Sequence, residues 1–171
     1  LSGAGGVQGL KIRYRAQEVT LKGETGRFVL PAEIRKQVRL SSGDQRIVCL
    51  YPHATLPCIA GYGLSRGDEF EAELNERRKE GEFPTREAYD QALSNFYGAP
   101  TYVFDDSGRF TMPDSLQRHA QISNLLYFHS YGPEFWIFSK EGVESLGSGW
   151  DHIRMGFENA MALVKPGKGA K

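Results

Sequence analysis

Two arginines of this chain stand in the same local setting, 82 residues apart: Gly26-Arg27-Phe28-x-x-Pro31 returns as Gly108-Arg109-Phe110-x-x-Pro113. A guanidinium is a planar, permanently charged fork of N–H donors. It is shaped to bond carboxylate or phosphate oxygens, or the O6 and N7 of one guanine together. The glycine ahead of each arginine tolerates positive φ, permits a tight turn and so carries the next side chain outward. Asp105, four residues before Arg109, could orient that fork from across the turn or accept from cytosine N4. Gly23 holds the matching position before Arg27. Taken singly, a Gly-Arg after a polar turn reads as an ordinary exposed hairpin arginine. Four identities in a six-residue window, in matched surroundings, ask for more.

The surroundings do match. A β-prone run precedes each motif, 14–21 in the first copy and 101–104 in the second. A polar turn follows (22–26; 105–108), then a short strand (27–30; 109–112). Each strand meets a proline placed to open a helix, 31–38 or 113–120, where a missing N–H costs nothing. Further β-branched or aromatic runs come next, 46–51 and 56–61 against 125–130 and 135–138. Ser65 and Ser139 then stand where helices should be capped, Ser65 with the spacing Ser65-x-x-Asp68 of a capping box. Pro84-Thr85 predicts a bridging helix to about Tyr97, with Tyr89, Leu93 and Phe96 on one face and Gly98 as its stop. A last helix over 149–164 aligns Trp150, Ile153, Phe157 and Met161, a stripe suited to core packing. The chain so divides into an extension (1–12), a first repeat (13–81), a bridging helix (82–99), a second repeat (100–147), and a C-terminal helix with a mobile tail (148–171).

Formal net charge is zero, but the sum hides a gradient. Through Ala60 there are nine Lys/Arg against four Asp/Glu; from Gly61 to Ala99, five against nine; beyond that, seven against eight. Such asymmetry can place a basic face on a neutral body. No apolar run is long enough to span a bilayer and no leader is recognisable, so the reading is a cytoplasmic protein. The glycine-rich segment 1–10 is taken as a disordered extension. Cys49 and Cys58 fit no zinc spacing and lie in apolar runs, which predicts reduced core residues. His53, His119, His129 and His152 are dispersed, without an HExxH motif, a nucleophile elbow or a phosphate-binding loop. No enzyme, cofactor, metal or small-molecule substrate is implied.

The unit strand–turn–Gly-Arg–strand–Pro–short helix, twice in one chain of this length, resembles the MraZ family, regulators of the bacterial division and cell-wall gene cluster. The resemblance runs from about Arg13 to Val164. It implies an α+β fold of two pseudo-symmetric AbrB-like, SpoVT-type ββαββα units sharing a barrel-like core, with a bridging and a C-terminal helix. It also implies a nucleoid-associated repressor, assembled as a ring-shaped homo-oligomer on double-stranded promoter DNA carrying direct repeats. The family motif is Asp-x-Lys-Gly-Arg. Asp105, Gly108 and Arg109 match it, with Ser107 in place of the lysine; Gly26 and Arg27 match, with Gly23 for the aspartate and Thr25 for the lysine. Arg35 matches a family Pro-x-x-x-Arg, and Gln117 is its counterpart in the second copy.

Candidate DNA contacts are therefore Arg27 and Arg109 at the bases, with Asp105, Gly26, Gly108, Thr25 and Ser107 shaping the turns. Lys22, Arg13, Arg15, Lys36 and Arg39 are candidates for phosphates. Arg35 is a candidate DNA contact by its family match, although it could equally pair with an acidic neighbour and hold its helix. Self-association would draw part of its apolar area from Tyr127, Phe128, Phe135, Trp136 and Phe138, alternate members of which must fill the core. The competing reading is a ring-forming scaffold or partner-binding protein with weak affinity for DNA.

Overall fold

The structure, a computed structural model, describes residues 11–164. The parts of the extension and tail at 1–10 and 165–171 lie outside the described residues. Ile12, at the end of the segment assigned to the extension, is buried in the core.

Strands β1 (Gln17–Leu21) and β2 (Phe28–Val29) lead into helix α1 (Ala32–Ser41). Strands β3 (Ile47–Pro52) and β4 (Ile59–Tyr62) follow, then helices α2 (Arg66–Lys79) and α3 (Arg86–Tyr97). The second half repeats this order: β5 (Thr101–Val103), β6 (Arg109–Phe110), α4 (Asp114–His119), β7 (Leu125–Ser130), β8 (Phe135–Phe138), α5 (Lys140–Glu144), a 3-10 turn (Ser148–Trp150) and α6 (Asp151–Ala162). The class is mixed α+β with antiparallel pairing throughout.

The large sheet has the order β1-β7-β8-β4-β3-β5, and β2 pairs with β6 in a separate two-stranded ribbon. Exchanging each strand with its counterpart in the other half reverses the large sheet's order and leaves it unchanged. The register obeys the same exchange. Phe28 faces Phe110 in the ribbon, and Ala60 faces Trp136 at the centre of the sheet. The first strand of each half pairs with the other half, β1 on β7 and β5 on β3, so the halves are woven together.

Alternation explains why. Successive strand residues point to opposite faces, and the β2–β6 ribbon sends Phe28 and Phe110 inward, at 0% and 1% exposure. Their rings meet with centroids 6.4 Å apart. Around them pack Leu30, Ile34 and Val38 from one half and Met112, Leu116 and Leu126 from the other, in one continuous core. The far face of the sheet is covered by α6, which buries Ile153, Phe157 and Ala160 among Tyr127, Trp136 and Phe138. On the other half of that face, Phe96 of α3 joins Cys49 and Tyr62.

Several expectations need correcting. Both prolines stand one residue ahead of their helices, at the cap, with extended ψ of 150° and 151°. Ser65 does not cap α2 through its side chain, because its Oγ is bonded to Ser41 Oγ at 2.7 Å. Ser139 does cap, accepting from Gly142 N–H, and Thr85 accepts from Ala88 N–H. Ala160 takes the buried place expected for Met161, which is exposed. The five aromatics Tyr127, Phe128, Phe135, Trp136 and Phe138 are all buried within the chain, since α5 and α6 cover the sheet face opposite the main core. None of them is left to supply an interface. Both cysteines are free and buried, as expected. The sequence offers no sign of the buried pair between Arg66 of α2 and Glu134 of the β7–β8 turn, 2.9 Å apart, which joins the two halves.

Candidate nucleic-acid interface

With Phe28 and Phe110 turned inward, the same alternation turns Arg27 and Arg109 outward. Val29 faces Arg109 across the ribbon, so Arg27, two residues from Val29, lies on the diagonal and on the same face. Two side chains 82 positions apart in the sequence are thereby presented side by side. Both are partly open to solvent, 36% and 49% exposed.

The two turns share one backbone pattern. Gly23 N–H donates to the Arg27 carbonyl at 2.9 Å, and Asp105 N–H to the Arg109 carbonyl at 3.0 Å. Gly26 N–H donates to the Gly23 carbonyl, and Gly108 N–H to that of Asp105. Gly26 and Gly108 have φ of +82° and +84°, in the left-handed region that a Cβ disfavours.

Side chains then separate them. Asp105 Oδ1 accepts from the N–H groups of Ser107 and Arg109, each at 2.9 Å. Its Oδ2 accepts from Arg109 Nε at 2.7 Å and from Arg27 Nη1 at 3.5 Å, so one carboxylate serves both arginines. Arg109 N–H above all, with its side chain and Ser107 N–H, holds the Asp105 carboxyl down at about 2. Gly23 offers no such group, and Arg27 instead finds Thr25 Oγ1 at 3.4 Å.

Arg35 lies beneath the second turn, not at a tip. Its Nη1 donates to the Leu30 carbonyl at 3.0 Å and to the Ser107 carbonyl at 2.9 Å. Gln117, its counterpart, donates to the Met112 carbonyl at 2.8 Å. Lys22 lies over the Phe28 ring, its ammonium 5.4 Å from the centroid. Arg35, Lys36 and Arg39 line a depression of about 380 Å³ beside Asp105, together with Arg46. Arg46, paired with Asp106, was not among the expected contacts. It arrives from the start of β3, and nothing local in the sequence marks it.

Arg13 and Arg15 are not brought to the turns. They line a separate shallow depression with Tyr131 and Gly132, and Arg13 is bonded to Glu69 at 3.1 Å. The reason is strand geometry. Tyr14 bridges Gly132 in the same register that pairs Gln17 with His129, so the chain is extended from there to Leu21. Nine extended steps from Arg13 to Lys22 cover roughly 30 Å.

No family model matches the chain. Among curated proteins, the transcriptional regulator MraZ of Parvibaculum lavamentivorans is 29% identical over 114 residues, 66% of this chain and 67% of that protein. The protein of that name from Caulobacter vibrioides is 28% identical over 119 residues, covering 70% and 72%. That from Gluconobacter oxydans is 27% identical over 122 residues, covering 69% and 70%. Relatives of one name from different bacteria, each aligned along some two thirds of the chain or more, make this chain similar to the MraZ family of transcriptional regulators.

Proposed function

We propose that this protein is a DNA-binding transcriptional regulator that reads bases with the outer face of the β2–β6 ribbon. The observation that carries the reading is the convergence of Arg27 and Arg109 on Asp105, 3.5 and 2.7 Å from one carboxylate oxygen. A two-stranded ribbon is narrow enough for the major groove, and an arginine fork there can bond guanine O6 and N7 together. Lys36, Arg39 and Arg46, beside the second turn, are suited to phosphates, which position the protein without specifying sequence.

In its finer form the proposal has two AbrB-like, SpoVT-type repeats, 13–81 and 100–147, joined by the helix within 82–99. They act in the cytoplasm, at the nucleoid, as a repressor of the division and cell-wall gene cluster. One ribbon is a small reader. Several subunits on a ring, meeting several direct repeats on one promoter, would turn later contacts into intramolecular ones and multiply apparent affinity. The apolar area for that ring would come from exposed side chains such as Val103, Met155, Tyr97 and Leu64.

Electrophoretic mobility shift on the DNA upstream of its own gene tests the reading. Retarded DNA, weakened steeply by salt and lost in the Arg27→Ala/Arg109→Ala double variant, is the expected result. Wild-type behaviour of that variant would remove the site assignment. Light scattering tests the ring: a 19.1 kDa monomer, or equal affinity for one repeat and for three, would exclude it.

A further inference from the structure

We infer that Arg35 is a positioning residue that builds the second turn from the opposite half of the chain, leaving the two turns unequal as readers. The inference rests on the DNA reading proposed above and assigns Arg35 no contact with DNA.

The second turn is clamped. Arg35 Nη1 ties the Ser107 carbonyl to the Leu30 carbonyl, and Leu30 N–H donates to the Gly108 carbonyl at 2.8 Å. Two consecutive carbonyls of the turn are thus held by residues of the first half. The fit is close enough that a Cβ built on Gly108 would lie 2.6 Å from the Leu30 carbonyl oxygen and 2.8 Å from Arg35 Nη1. Around the first turn the same Cβ on Gly26 meets nothing within 4 Å. Gln117 reproduces only half of Arg35's work: it takes the Met112 carbonyl, the counterpart of Leu30, and makes no bond to Thr25, the counterpart of Ser107. A glutamine side chain is too short for the second bond. A reader already held in its binding geometry loses less freedom on binding, so the second turn should carry more of the discrimination.

Arg35→Gln is the matched test, because Gln117 shows that glutamine at this position keeps the helix-side bond. On the free protein, amide hydrogen exchange over 105–109 should rise about tenfold, the loss expected for one charge-assisted bond. Exchange over 23–27 should not change. On promoter DNA, affinity should fall roughly five- to tenfold while the slope of log K against log salt stays that of wild type, because no phosphate contact is lost. A slope reduced by about 0.9 would instead make Arg35 a phosphate contact and overturn the inference. Unchanged exchange over 105–109 would overturn it as well. If the wild type binds no DNA, the proposed function fails, and the exchange measurement still decides what Arg35 does.

Discussion

The turns at 22–26 and 105–108 are two answers to one structural problem. Their backbones agree in φ at the glycine and in both turn hydrogen bonds. They differ in what surrounds them: the second has its own aspartate and a guanidinium beneath it, and the first has Gly23 and the shorter Gln117. Matching backbones with unmatched side chains show that the hairpin shape needs only the positive-φ glycine. Holding the arginine at its tip needs more. Both halves thus share the shape, and more of the struts stand at the second turn.

The largest test of this contrast is alanine at the two glycines. Both substitutions place a Cβ in the left-handed region, at a cost of about 1–2 kcal/mol. At Gly108 the methyl would also strike the Leu30 carbonyl and Arg35, adding about 1–3 kcal/mol of overpacking. Urea denaturation should thus find Gly108→Ala clearly less stable than Gly26→Ala. Equal midpoints would mean the second turn is no more tightly held than the first.

Next comes the pair of arginines. Arg109→Ala and Arg27→Ala should each weaken specific DNA binding by about 1–3 kcal/mol if each makes a bidentate guanine contact. Arg109 should show the larger loss, because its bond to Asp105 is the shorter, 2.7 Å against 3.5 Å. Both sites are partly exposed, so thermal unfolding should hardly move. Titration of promoter DNA with a larger loss for Arg27 would reverse the ranking.

Acid should act on the ribbon through Asp105 of the second turn. The Asp105 carboxyl is depressed from 3.8 to about 2 in the folded state. A depressed carboxyl favours folding above its unfolded value, and that contribution fades as pH falls from about 4 to about 2. Asp105→Asn should be less stable than wild type at neutral pH and converge with it in acid. A constant gap across that window would mean the carboxylate does not titrate with folding.

The smallest effect is a repair. Gly23 is not at positive φ, and a Cβ there meets only the Arg27 carbonyl oxygen at an ordinary 3.6 Å. Gly23→Asp should therefore be tolerated and give Arg27 a carboxylate of its own, tightening DNA binding by less than about 1 kcal/mol for an exposed pair. Unchanged affinity would show that Thr25 and the shared Asp105 already suffice.

Legible from the residues alone are the duplication, the turn glycines Gly26 and Gly108, and the alternation of the short strands that carries Arg27 and Arg109 outward. These are local matters: a period of two and a turn's steric demands can be read from adjacent residues. Helix existence was equally legible, down to the Ser139 cap. Who meets whom is a matter of the closed fold. Nothing near Arg27 announces that its carboxylate is Asp105, nothing near Ser107 announces Arg35, and no spacing foretells that Arg46 comes to the second turn while Arg13 leaves for Glu69. Ser65 had the spacing of a cap, yet a neighbour from α1 claimed its hydroxyl. Each of these outcomes follows from strands that pair with the opposite half, and pairing between distant segments is set by how the whole core closes around Phe28 and Phe110.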